Sequence, residues 1–235
     1  VIGRLLLAVA TWILLGADGP YTERVAPETL RHIRNVAVIS DMGGTLQFEQ
    51  VEAGRWLKPA NAAFLAIADW GLDADAARTV TAALSKEFSV LPITFDPAVF
   101  STWNDTLLRR ATLDLNGDPA IDAYVLILRD WSTDRIFYTG HDVGGLGVLH
   151  EAGGPTALYA SYRILLVDAL SGNILASRAA RLPQERLPAI ASADALWPQR
   201  TNDLTPSQAV AIREDLRRLI DATLIPTLKK LHLAQ

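Results

Sequence analysis

Two histidine–acid pairs, His141-Asp142 and His150-Glu151, stand nine residues apart in the glycine-rich stretch His141–Pro155. Imidazole nitrogens and carboxylate oxygens are ligands for a divalent metal. The spacing matches no diagnostic ligand pattern, and glycines beside both pairs equally suit solvated loop residues, so no metal and no other cofactor is expected. The glycines do not make a phosphate loop, because the lysine of G-x-x-x-x-G-K-[ST] is missing and no helix start follows. A second run with chemical potential is Asp41-Met42-Gly43-Gly44-Thr45-Leu46, directly after the β-rich Asn35–Ser40. Its plain reading is a hairpin turn in which Gly43 and Gly44 supply positive φ. Neither a G-x-S-x-G nucleophile elbow nor an H-E-x-x-H zinc helix occurs.

The stretch 141–155 holds five glycines, which raise its backbone entropy, and also Val143, Leu146, Val148 and Leu149. A purely solvated linker has little reason to keep those side chains. The expectation is a flexible loop that orders against a protein partner or a second copy of the chain, with His141, Asp142, Val143, Leu146, His150 and Glu151 as its contact residues. The alternative is a loop folded over its own sheet edge, burying the apolar side chains within the monomer.

These segments need a scaffold, and composition bounds it. The chain has 235 residues, a net charge of −4, no cysteine, 50% hydrophobic and 20% charged residues. That is too apolar for a disordered chain and long enough for a substantial core. A pI near 5.6 argues against a nucleic-acid partner. The lack of cysteine excludes disulfides, thiolate zinc, iron–sulfur clusters and cysteine nucleophiles.

Residues 1–19 place Arg4 ahead of an unbroken apolar run, Leu5 to Leu15, followed by the small residues Gly16 and Ala17. That order is a secretory signal peptide, and eleven residues are too few to span a bilayer. The expected product is a periplasmic or secreted protein with no transmembrane segment after signal removal. Residues 20–34 read as a linker entering a short helix with Pro27 in its first turn, and 35–235 as a single domain.

Within 35–235, Asn35–Ser40 and Thr45–Val51 read as the two strands of a hairpin. Residues 62–70 suit helix or strand. Asp73–Phe88 is a helix by its Val80, Leu84, Phe88 spacing, with Asp73 as its cap. Ser89–Phe95 is a strand whose Pro92 suggests an edge or a bulge. A helix follows with Phe100, Trp103, Leu107 and Ala111 on one face, stopped by Asn116-Gly117. Ala123–Leu128 is continuously apolar, as in a strand covered on both faces, and Ile136–Thr139 can form another short strand. Leu158–Ala169 and Ile174–Leu182 are strands joined at Leu170–Asn173, and 183–204 is a long loop. Thr205-Pro206-Ser207-Gln208 has capping-box spacing before a long apolar-striped helix, which Pro226 should kink. The order implies an α/β (α+β) fold, a single mixed β-sheet with packed helices and a long C-terminal helix.

The run Asp41–Leu46 resembles the first motif, D-x-D-G-T-L, of haloacid-dehalogenase-type phosphohydrolases. The resemblance implies Asp41 as a nucleophile attacking phosphorus, with Thr45 in the motif and magnesium alongside. Gly43 stands where that family carries its acid, and no G-D-x-x-x-D magnesium motif follows.

A resemblance spanning residues 35–182 joins Asn35–Ser40, Asp122–Leu128 and the hairpin Tyr162–Ala176, with Asp168 and Gly172 flanking its turn. These are similar to exported bacterial envelope proteins of the curli-secretion-lipoprotein and penicillin-binding-protein-activator type, and to the N-terminal domain of the Tol-Pal translocation protein. This chain lacks the lipid-bearing cysteine of the lipoprotein members. The resemblance implies a non-enzymatic binding or assembly module whose partner is another protein, or a second copy of itself, at the cell envelope.

Overall fold

A continuously apolar strand needs cover on both faces, and Ala123–Arg129 (β5) has it, with every residue from Ala123 to Leu128 buried. In the computed structural model, which describes residues 23–51, 61–96, 100, 105–115, 118–132, 136, 142–192 and 204–235, it lies near the middle of a mixed sheet. In chain order the other strands are β1 (Asn35–Asp41), β2 (Thr45–Val51), β3 (Asn61–Ala66), β4 (Ser89–Val90), β6 (Trp131–Ser132), β7 (Val143–Glu151), β8 (Thr156–Asp168), β9 (Ile174–Ala179) and β10 (Ala189–Ser192). The helices are α1 (Pro27–Leu30), α2 (Leu72–Leu84), α3 (Asp105–Leu113) and α4 (Pro206–Lys230). The main path of the sheet runs β3-β2-β7-β8-β5-β1-β4, with β9 and β10 also on β8 and β6 on β7.

The thirteen-residue β8 is the spine. Its first half pairs antiparallel with β7 and with β10, and its second half with β5 and with β9. The sheet therefore divides along β8. One half carries β1 and β4 beyond β5, and the other carries β2 and β3 beyond β7. The turn from β8 to β9 is held by Asp168, whose carboxylate accepts from the Ser171 N–H and hydroxyl, and by Gly172 at φ 66°.

This division overturns the expected hairpin of Asn35–Val51. β1 lies parallel between β5 and β4, whereas β2 pairs parallel with β7 and antiparallel with β3. The turn-like Met42-Gly43-Gly44 carries the chain from one half of the sheet to the other. Gly43 has the positive φ expected of it, 109°, but it joins strands that do not pair.

The expected flexible loop of 141–155 is corrected as well, since Val143–Glu151 is the buried strand β7. Its glycines make room for rings. Gly147 faces Tyr159 across the ladder, and a Cβ on Gly147 would overlap the Tyr159 hydroxyl. Gly144 faces Trp131, whose ring stands 2.6 Å from where its Cβ would be. Glycine in a strand permits this close approach. The apolar residues are buried within the monomer, as the alternative required, but by the sheet itself.

Smaller corrections follow the same topology. The ambiguous 62–70 divides into β3 and a 3-10 turn at Ala68–Trp70. The strand expected over Ser89–Phe95 keeps only Ser89 and Val90, at an edge. Residues 183–204 include β10. Gly71, not Asp73, caps α2. Trp103, Asn116-Gly117, Thr139 and the signal peptide lie outside the described residues.

The largest core lies on one face of the sheet, under α2 and α4. Ile212, Leu216, Ile220, Leu224 and Leu228 of α4 meet Val80 and Leu84 of α2 and Tyr162 and Ile164 of β8. The capping box forms as spaced, since the Thr205 hydroxyl accepts from Gln208 N–H and the Gln208 side chain accepts from Thr205 N–H. The helix runs through Pro226 to Lys230. On the opposite face, Phe100 and α3 cover β1, β5 and the second half of β8. Tyr159, Val143, Leu149, Val51 and Leu187 form a third cluster over the other half. Among the described residues, no helix is long and apolar enough to cross a membrane.

Candidate functional site

β1 is flanked by parallel strands on both sides and ends at Asp41, where the sheet divides. Two carboxylates, Asp41 and Asp73, meet at this strand end. Asp41 accepts a hydrogen bond from the Gly43 N–H and has the Arg129 guanidinium as its counter-charge. Asp73, from the first turn of α2, turns back to the same strand end. Its Oδ1 accepts from the Ser40 hydroxyl at 2.6 Å and from the Met42 N–H at 2.8 Å. Burial, and then the neighbouring Asp73 carboxylate, push Asp41 up to about 6, against the pull of Arg129 and of the Gly43 amide. Burial also raises Asp73, opposed by its bonds to Met42 and Ser40.

Thr45 is exposed at the start of β2, opposite Ala66 of β3, in the other half of the sheet. The structure thus brings Asp41 together with Asp73, Ser40 and Arg129, and the backbone path separates it from the Thr45 strand. Asp73 looked like a helix cap in sequence, and nothing in its spacing announced a contact 32 residues back with Asp41. Among the described residues no group of three or more His, Asp or Glu could hold a metal ion.

Of the other sequence candidates, His141 lies outside the described residues and Asp142 is exposed just before β7. Val143 and Leu146 are buried, on opposite faces of the sheet. His150 and Glu151 are half-buried at the far end of β7, where His150 Nδ1 stands 2.9 Å from the Thr156 hydroxyl. The strand spreads Val143, Leu146, His150 and Glu151 along its length and over both faces.

Beside β7 lies a polar feature that the sequence did not announce. Glu49 of β2 is 2% exposed, bonded by the Gln47 side chain, and near the buried Tyr159 phenol. Burial first, and then Glu49, hold that phenol well above its ordinary range. Where the sheet divides, Asp130 and Arg163 face each other through two nitrogen–oxygen contacts of 3.0 and 3.1 Å. Arg163 also reaches Ser177 of β9. The Asp130 backbone joins β8 and β7, donating to Ser161 O and accepting from Gly145 N–H.

The sheet ends at β3, Asn61-Ala62-Ala63-Phe64-Leu65-Ala66. Ala63 and Leu65 pack against the main core, while Ala62, Phe64 and Ala66 are exposed on the other face. Phe64 is 63% exposed. The strand has no charge, proline or bulge, the devices that normally block an edge. Among the described residues nothing pairs with its outer side. In sequence this segment showed its lack of charge but not its place at an edge.

No family model matches the chain, and no curated protein matches it. Several solved structures are similar to it. Protein XCC0632 from Xanthomonas campestris, of family DUF330, is 9% identical, with 92% of this chain and 89% of that chain covered and a TM-score of 0.41. Lipoprotein GNA1162 from Neisseria meningitidis is 11% identical, with 80% and 99% covered and a TM-score of 0.31. The hypothetical protein CT253 from Chlamydia trachomatis is 9% identical, with 84% and 94% covered and a TM-score of 0.36. These scores are too low to transfer a fold, so the α+β architecture rests on the chain's own strand pairing. The envelope families named on sequence motifs stay resemblances.

Proposed function

We propose that this chain is a non-enzymatic binding or assembly module of the cell envelope, exported by its N-terminal apolar segment and acting through residues 35–235 as one α+β unit. The observation that supports it is the edge of β3, six uncharged residues with Phe64 exposed near their centre and with nothing among the described residues paired to their outer side. An unblocked edge offers backbone N–H and C=O groups in register for another strand, and an exposed aromatic adds contact area. The test is a photo-crosslinking residue at Phe64 in the exported protein, with Val210 on exposed α4 surface as the control. Adducts to one defined polypeptide at 64 and none at 210 are expected. Absence of an adduct at 64 would remove the support.

A second reading is favoured by one observation. β1 is a parallel strand between β5 and the two-residue β4 and ends at Asp41, as a phosphohydrolase with Asp41 as nucleophile requires of its first strand, and the expected hairpin that would have argued against it is absent. Against it, Gly43 occupies the acid position, and Asp73 is engaged by Ser40 and Met42. Magnesium-dependent turnover of p-nitrophenyl phosphate that disappears in Asp41→Asn would replace the binding reading with this one.

A further inference from the structure

We propose that the occupant of the β3 edge is a second copy of this chain, paired antiparallel about a twofold axis through Phe64. The inference rests on the binding reading and names its partner.

The strand is self-complementary in that register. Side chains alternate faces along a strand, so only pairings that keep like faces together preserve burial. A twofold axis at Phe64 sets Phe64 opposite its own counterpart. It sets Ala62 opposite Ala66 on the exposed face, and Ala63 opposite Leu65 on the core face. The core face matters most, because Ala63 and Leu65 already pack on the main hydrophobic cluster. Pairing them with Leu65 and Ala63 of a second copy continues that apolar layer across the junction. On the other face, each Phe64 ring is flanked by alanines, which leave room for it to lie against its counterpart. Nothing on either strand opposes the match, since no residue from 61 to 66 is charged.

The topology adds a reason for closure. β4, at the far end of the main path, is only two residues long, and β9 carries Arg178. Such edges discourage pairing. An isologous pair consumes the β3 edge of both copies, so this contact closes at two copies. Five residues of each copy, 62–66, pair in this register and span about 17 Å, at the small end for an interface, so association should depend on concentration.

The experiment is sedimentation of the purified exported chain from micromolar to millimolar concentration. A monomer–dimer equilibrium is expected for the wild type, and for Val210→Lys. Phe64→Lys and Ala66→Lys, both at exposed positions, should sediment as monomers at every concentration, with a circular dichroism spectrum like the wild type. Because the chain has no cysteine, Phe64→Cys gives a register test that does not depend on the lysine variants. A short bis-maleimide should join two copies of the Phe64→Cys variant through their new thiols, and should not join two copies of Val210→Cys. A wild type that stays monomeric throughout, or a dimer that survives both lysine substitutions, overturns the proposal. A monomer whose position 64 crosslinks to one different polypeptide overturns this proposal and leaves the binding reading standing. A monomer with no adduct at 64 removes both.

Discussion

Gly147 of β7 and Tyr159 of β8 stand directly opposite each other, and the Tyr159 ring occupies the space where a side chain on Gly147 would begin. The glycine is therefore required by its neighbour's size and not by a turn. Gly147→Val should cost about 3 kcal/mol or more, since the ring must leave a fully buried position. Thermal melts of Gly147→Val, Tyr159→Leu and the double variant test this. The double variant should be more stable than the sum of the single losses predicts, because the smaller side chain vacates the site.

Asp41 gives a pH dependence with a definite sign. Its folded-state pKa is raised from 3.8 to about 6, so the folded protein holds that proton more tightly than the unfolded chain. This contribution favours folding at low pH and is lost as pH rises through the window from 3.8 to about 6. The full shift corresponds to about 3 kcal/mol, and solvent screening of this half-exposed group reduces it to about 1. Asp41→Asn should stabilise the protein by about 1 kcal/mol at pH 7 and flatten that window in denaturant titrations. Asp73, also raised, leaves a residual slope of the same sign.

Removing one partner of the Asp130–Arg163 pair leaves the other charge in a poorly solvated place. Asp130→Ala should cost about 3–5 kcal/mol in urea unfolding. Replacing both, as Asp130→Leu with Arg163→Met, should recover most of that loss. A double variant as unstable as the single one would show that the Asp130 backbone bonds to Ser161 and Gly145 depend on the ion pair for their geometry.

Leu216 is buried where α4 meets α2 and the sheet. Leu216→Asp should destabilise the fold by several kcal/mol, because an unpaired carboxylate replaces an apolar side chain in the core. Thr205→Ala, which removes the hydroxyl half of the capping box, should cost about 1 kcal/mol. A melt of Leu216→Asp unchanged from wild type would mean that α4 does not pack as described.

Wherever local pattern suffices, the sequence by itself determined the outcome. The capping box at Thr205–Gln208 starts α4 because both halves of the motif lie within four residues. The apolar stripe of α4 is buried because its spacing matches one helix face. β5 is central because six consecutive apolar residues need cover on both sides. Asp168 and Gly172 shape the turn between β8 and β9 from nearby positions. The mixed α+β class follows from the order of these elements.

Only the tertiary structure decided what depends on non-local pairing. Asn35–Val51 contains two strands and a glycine turn, the makings of a hairpin, yet the two strands join different halves of the sheet because β5 and β7 offer each a parallel neighbour. The glycines of 144–147 have the composition of a loop, and become strand because Trp131 and Tyr159 fill the space they leave. Asp73 has the position of a cap, and instead bonds Ser40 and Met42 because α2 packs over the end of β1. β3 has the composition of a core segment, and lies at an edge because nothing among the described residues pairs beyond it. In each case the residue type sets what a position can do, and a partner far away in the chain selects which of those it does.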